Sequence, residues 1–175
     1  MSEAIRTNEL KQQVIEKLGT VIDPCMEAAG LNLSVIDLGI VREVFWRENV
    51  LHVAITPTYS GCPATRIIEQ DIAEALRQRG LTQVQLETRI SPAWTTDWLS
   101  EQGREKLTSY GIAPPSGSAI PITDISGGPR AVLRIVCPRC SSDQTRKISD
   151  FGSTPCKAHY VCRSCMEPFD YFKCI

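Results

Sequence analysis

Two Cys-x-x-Cys pairs, Cys137-Pro138-Arg139-Cys140 and Cys162-Arg163-Ser164-Cys165, lie close together near the C-terminus. Each pair turns two thiols to the same side of a tight knuckle, and two knuckles facing each other supply the four soft donors of a tetrahedral metal site. The 46 residues from 130 to 175 cannot bury enough apolar surface to fold alone, whereas structural zinc contributes roughly 10–16 kcal/mol to modules of this size. The pattern therefore predicts a zinc ribbon over 131–175, with Cys137, Cys140, Cys162 and Cys165 as ligands. A four-cysteine iron centre uses similar spacing and is the rival metal. Redox disulfides fit less well, because two pairs among strand-like segments favour a closed metal site.

The chain has 175 residues, 8 of them cysteine, and six of those eight follow residue 136. Nothing at the N-terminus reads as a secretion signal, so metal binding fits this distribution better than oxidised bridges, and the expected compartment is the cytoplasm. No run of 18 or more apolar residues occurs, which excludes a membrane-spanning helix. Net charge is −1 but uneven: residues 1–129 hold 11 basic against 16 acidic side chains, and residues 130–175 hold 8 against 4. That basic tail is too weakly charged to indicate nucleic acid. Cys156 and Cys174 fall in the same module outside the knuckles. They read as small buried thiols or as secondary ligands of a transient metal, with His159 a minor candidate beside them.

Upstream, hydrophobic periodicity predicts a helix from Asn8 to Leu18 and a break at Asp23-Pro24. Strands are expected over Val35–Trp46 and Val50–Thr56 around a turn at Glu48-Asn49, then a loop from Pro57 to Pro63. A helix follows over Ala64–Arg79, with Ile67, Ile68, Ile72, Ala75 and Leu76 on one face. Residues Val84–Ile90 alternate as a half-wet strand, and a last helix spans Asp97–Tyr110. This order predicts an α+β two-layer domain over 1–112, a Pro/Gly/Ser-rich linker over 113–130, and the ribbon. Ile120, Ile122 and Ile125 are expected to pin that linker to the domain surface.

Cys62 stands between the second strand and its helix, with Pro63 where a first helical turn would begin. A helix start favours a thiolate, so Cys62 is a candidate metal ligand or nucleophile. No histidine lies near it in sequence, though His52 sits in a predicted strand. Cys25 is a weaker candidate in the loop after Pro24. Asp37 interrupts an apolar run and either caps a turn or faces the site. Trp94 and Trp98 read as a hydrophobic staple or as a partner surface.

Three segments are long enough to compare with known families: Asp37-Leu38-Gly39-Ile40-Val41-Arg42, Thr56 to Ala64, and Ser91-Pro92-Ala93-Trp94-Thr95-Thr96-Asp97-Trp98. With Phe151-Gly152-Ser153-Thr154-Pro155-Cys156-Lys157-Ala158 and Glu167 to Ile175 in the tail, they resemble the PaaD family of accessory subunits in bacterial phenylacetate degradation. The first domain is similar to that of iron–sulfur assembly factors, including SufT. The resemblance implies an α+β fold and a non-catalytic role in delivering or repairing clusters for a di-iron epoxidase of phenylacetyl-CoA. The reductase of that system carries a flavin and a [2Fe–2S] cluster. The implied partners are the oxygenase and reductase subunits, and the implied cofactors are structural zinc and a transient iron–sulfur cluster. Cys62 matches the functional cysteine of the wider domain, and Asp37 its acidic position. The family's usual Asp-Pro-Glu-Ile-Pro is replaced after Asp23-Pro24 by a longer segment in which Cys25 stands as a substitute ligand. A structural docking subunit and a nucleic-acid-binding ribbon are the alternative roles.

Overall fold

The computed structural model describes residues 3–115 and 135–173, with side chains from residue 8. The chain divides into two compact units, Met1–Trp94 with Trp98–Gly103, and Thr95–Asp97 with Arg104–Ile175. Most of the expected linker, with Ile120, Ile122 and Ile125, lies outside the described residues, as does Cys174.

The first unit opens with helix α1 (Glu3–Leu18) and a single turn, α2 (Pro24–Glu27). Strands β1 (Val41–Arg47) and β2 (Val50–Ile55) form an antiparallel hairpin in which Arg47 faces Val50. The two residues between them, Glu48 and Asn49, both take positive φ (50° and 64°). That is the backbone of a two-residue turn whose twist matches the strands. Helix α3 (Thr65–Gln78) then carries the chain across to β3 (Val84–Thr88), which pairs in parallel with β2. Side-chain alternation puts Val44, Leu51 and Val53 on the buried face. Helices α1 and α3 touch each other, α1 touches β1 and α3 touches β3. The domain is therefore α+β in two layers, as expected. Ile68, Ile72, Ala75 and Leu76 of α3 are buried, but Ile67 is exposed. In α1, Val14 and Leu18 are buried and Leu10 is not.

Two expected elements differ. Val35–Ile40 is not strand but a run of turns, closed by reciprocal hydrogen bonds between Ser34 and Asp37. The expected helix from Asp97 is broken into a 3₁₀ turn (Thr96–Trp98) and α4 (Glu101–Tyr110). The break falls where the Ser100 N–H donates to the Asp37 carbonyl (2.9 Å) and the Ser100 hydroxyl accepts from the Gly103 N–H (2.9 Å). Ser100 thus starts α4 by capping it.

The second unit holds a three-stranded antiparallel sheet, β4 (Thr145–Ser149), β5 (Lys157–Cys162) and β6 (Pro168–Phe172), in the order β4-β5-β6. Of the strand expected before the first knuckle, Val132–Arg134 lie outside the described residues, and Ile135 and Val136 are not in a strand. One side of the sheet contributes Ala158, Cys162, Phe169 and Tyr171 to a small core with Ala113, Ile135 and Cys137. The other side is polar and closed. Lys157 is only 1% exposed, and its Nζ donates to the Ser153 hydroxyl (3.1 Å). Ser153 donates in turn to Asp170 Oδ2 (3.0 Å), and Asp170 Oδ1 meets His159 Nδ1 (3.2 Å). A buried ammonium is tolerable only with such partners. Gly152 makes room for the chain, since a Cβ there would lie 2.8 Å from Asp170 Oδ1.

Candidate functional site

Cys137, Cys140, Cys162 and Cys165 bring their four sulfurs within 4.8 Å of one another. Cys137 Sγ lies 3.8 Å from Cys165 Sγ, and Cys140 Sγ lies 3.5 Å from Cys162 Sγ. A regular tetrahedron with zinc–sulfur bonds of about 2.3 Å separates its sulfurs by about 3.8 Å, so the donor set fits zinc. The two knuckles repeat each other. In the first, the Cys137 N–H donates to the Ser142 carbonyl (2.9 Å) and Ser141 takes φ 60°. In the second, the Cys162 N–H donates to the Glu167 carbonyl (3.0 Å) and Met166 takes φ 62°. The Ser142 and Ser164 hydroxyls bridge the knuckles at 2.7 Å.

Charge at the sulfurs is set by the same backbone. The Cys165 and Ser164 N–H groups point at Cys162 Sγ (3.5 and 3.4 Å). Donation from Cys165 first, then from Ser164, draws the Cys162 thiol down to about 6 in the metal-free protein. At Cys140 the Ser142 backbone also lowers the value, but sharing protons with Cys162 and Cys165 prevails and lifts it to about 12. One sulfur of the set is thus preformed as thiolate, the form a metal requires.

In the first unit, the three segments singled out in the sequence meet at one end of the sheet. The Thr56 N–H donates to the Ile40 carbonyl (2.8 Å), and the Arg89 N–H to the Ile55 carbonyl (2.8 Å). The Trp94 indole Nε1 donates to the Leu38 carbonyl (2.8 Å), and Ser100 holds the Asp37 carbonyl. Gly39, at φ +63°, lies against the Trp98 backbone so closely that any Cβ would collide with it. The Arg42 guanidinium stacks 3.5 Å from the centre of the Trp98 ring, and burial lowers its pKa. This end of the sheet carries the carboxyl termini of parallel β2 and β3 and the start of α3. In parallel α/β units, ligands bind at the carboxyl ends of the strands.

Cys62 sits in this loop, half-buried, with its N–H bonded to the Tyr59 carbonyl (3.0 Å). Its carbonyl caps Thr65, accepting from the hydroxyl at 2.9 Å. The helix cap is Ala64, so Cys62 lies two residues ahead of it, because Pro63-Ala64 forms one more turn before α3 begins. Asp37 is 5% exposed; its Oδ2 accepts from the Ser34 N–H (3.0 Å) and its N–H donates to Ser34 Oγ (3.0 Å). Cys25, half-buried, follows Pro24 in α2, where Asp23 accepts from the Cys25 and Met26 N–H groups (2.9 and 3.0 Å). His52 stacks on Phe45, ring centres 4.9 Å apart. Cys156 is half-buried with Thr154 Oγ1 at 3.0 Å. Among the described residues, the ribbon set is the one group of three or more such side chains close enough to share a metal. Sequence reading missed Ser34 and Ser100; the Ser-x-x-Asp spacing before an apolar residue was the available signal.

A thiol-bearing α+β domain followed by a four-cysteine metal ribbon defines a modular iron–sulfur assembly type of protein. The family described as iron-sulfur cluster assembly protein matches residues 11–86, and that described as PaaD zinc beta ribbon domain matches residues 124–173. The D component of the 1,2-phenylacetyl-CoA epoxidase of Escherichia coli (strain K12) is 48% identical over 143 residues, covering 82% of each chain. The chain belongs to the PaaD family of epoxidase components. The Fe-S protein maturation auxiliary factor YitW of Bacillus subtilis is 30% identical over 102 residues, 58% of this chain and 88% of that protein. A crystal structure of a domain of unknown function, DUF59, from Bacillus anthracis shares the fold at TM-score 0.53 and 23% identity, covering 60% of this chain and 97% of that one. Among the described residues no helix is long and apolar enough to cross a membrane.

Proposed function

We propose that this chain is a cytoplasmic accessory protein of a multicomponent phenylacetyl-CoA epoxidase, acting in iron–sulfur cluster assembly or maturation of its reductase or oxygenase. The placement of Cys62 carries this reading: a half-buried thiol in the loop where three motif segments are hydrogen-bonded together at the carboxyl ends of β2 and β3. The likeness of the same unit to a maturation factor over 88% of that factor's length supports it. Cys62, once deprotonated, holds an iron–sulfur species as cargo and passes it on by exchange of thiolate ligands. Structural zinc sits on Cys137, Cys140, Cys162 and Cys165, where it supplies the fold of the ribbon and no chemistry of its own. Cys25 lies on α2 as an auxiliary ligand candidate; Cys156 serves the ribbon's packing.

The test is to co-express the oxygenase and reductase subunits with and without this protein, reading phenylacetyl-CoA turnover and [2Fe–2S] occupancy of the purified reductase. Turnover and occupancy falling together, with Cys62→Ser reproducing the defect, is the expected result. Turnover that falls while occupancy stays full favours the second reading, a docking subunit of the oxygenase. That the Escherichia coli relative is described as one component of the epoxidase itself supports this alternative. It requires co-purification at fixed stoichiometry.

A further inference from the structure

Asp37 is an acidic side chain beside a candidate cluster-binding loop, and a carboxylate there invites assignment as an iron ligand. Its surroundings argue for a different task. The residue is 5% exposed, and Oδ2 accepts the Ser34 N–H at 3.0 Å while Oδ1 faces the Ser100 hydroxyl at 3.5 Å. Its own N–H goes to Ser34 Oγ at 3.0 Å, and its carbonyl accepts the Ser100 N–H at 2.9 Å. Donating an oxygen to a metal would strand the Ser34 N–H in a buried turn, a desolvation loss the fold does not offset.

The turn closed by Asp37 is connected onward. Leu38 offers its carbonyl to Trp94, Gly39 packs on the Trp98 backbone, and Ile40 offers its carbonyl to Thr56, the first residue of the loop that ends at Cys62. On the other side, Ser100 joins the turn to the first residues of α4.

We infer that Asp37 is a positioning residue, a latch whose carboxylate and backbone tie the 34–40 turn to Ser100 and so fix where the Thr56–Cys62 loop leaves the sheet. It acts on Cys62 without touching the cargo. The inference rests on the reading of Cys62 as the thiol that holds iron–sulfur cargo, but its geometry stands without that reading. Asparagine keeps the essential contacts, because its amide oxygen accepts from Ser34 and its amide nitrogen can donate to the Ser100 hydroxyl. Alanine keeps none of the side-chain ones.

The experiment uses the full zinc-loaded chain as wild type and as Asp37→Asn, Asp37→Ala, Ser100→Ala and Cys62→Ser. Two readouts are taken: iodoacetamide alkylation of Cys62 followed by peptide mass spectrometry, and iron content with visible absorption after anaerobic addition of ferrous iron and sulfide. Asp37→Asn is expected to match wild type in both. Asp37→Ala and Ser100→Ala are expected to change the Cys62 alkylation rate by about fivefold, the equivalent of one buried hydrogen bond. Their iron loading is expected to fall, with an unshifted absorption spectrum for the fraction that loads. Loss of iron in Asp37→Asn to the level of Cys62→Ser, with wild-type alkylation, would overturn the inference and make Asp37 a ligand. If wild type itself takes up no iron, the cargo reading fails, and the alkylation series alone decides the latch. Should Asp37→Ala not fold, Ser100→Ala and the asparagine variant carry the same decision.

Discussion

The two units are held together by different physics. In the first, a three-stranded sheet is covered by α1 and α3, and Leu18, Leu33, Val35, Val53, Ile72 and Leu76 are fully buried. In the second, the described buried core is seven residues, two of which are the metal ligands Cys137 and Cys162. A core that contains its own ligands exists as a core only when something draws those sulfurs together. The first unit should therefore be indifferent to metal, and the second should depend on it.

The largest effect that would break this contrast is metal removal. Stripping zinc withdraws roughly 10–16 kcal/mol from the ribbon. Hydrogen exchange should then show loss of protection in β5 and β6 while β2 and α3 keep theirs; equal loss in both would refute the separation. Acid does the same by another route. The bound thiolates have their pKa values held below those of the free thiols, so the stability they contribute is present above the free values and disappears as pH falls through the bound ones. Zinc release into a colorimetric chelator should rise on acidification, ahead of any unfolding of the first unit.

The converse perturbation is Ile72→Ala in α3, at a fully buried position. It should cost about 2–5 kcal/mol in denaturant melts of the first unit and leave zinc content per chain unchanged. Gly39→Ala comes next, at about 3 kcal/mol, since it combines a left-handed backbone with a collision against Trp98. A loss under about 0.5 kcal/mol would mean the turn yields more easily than the packing at Gly39 implies. The smallest effect is Ser153→Ala, at about 1 kcal/mol, seen as faster exchange at the distal end of β5 and β6 with zinc still bound. It sharpens the comparison by separating the ribbon's metal end from its hydrogen-bonded end.

Much of this architecture can be read along the chain wherever a local pattern decides it. The paired knuckles, the amphipathic α3, the alternating β3 and the tight turn at Glu48-Asn49 each depend on residues near one another. Val35–Ile40 escapes that logic: an apolar run suits a strand, yet two hydrogen bonds between Ser34 and Asp37 close it into a turn. The Asp97–Tyr110 helix fails for a longer-range reason, because the partner that stops it at Ser100 is the carbonyl of Asp37, 63 positions away. Cys62 is legible as a thiol before a helix, but its distance from the cap is not, since Pro63-Ala64 adds a turn that composition does not announce. The meeting of the Leu38, Trp94 and Thr56 segments is a property of the fold alone.

The acceptors at that meeting point are main-chain carbonyls of residues 37, 38 and 40, whereas two of the donors are particular side-chain or cap-forming residues, Trp94 and Ser100. A carbonyl is the same whichever side chain stands beside it. Under random mutagenesis with selection for function, positions 38 and 40 should accept any aliphatic residue that fits, while 94 should return only tryptophan. The pair 39 and 98 should be the most constrained of all, because the clash there is with backbone and no second mutation at 98 can relieve it. The motif would then be inherited as a shape, with its letters fixed on one side of each contact and free to drift on the other.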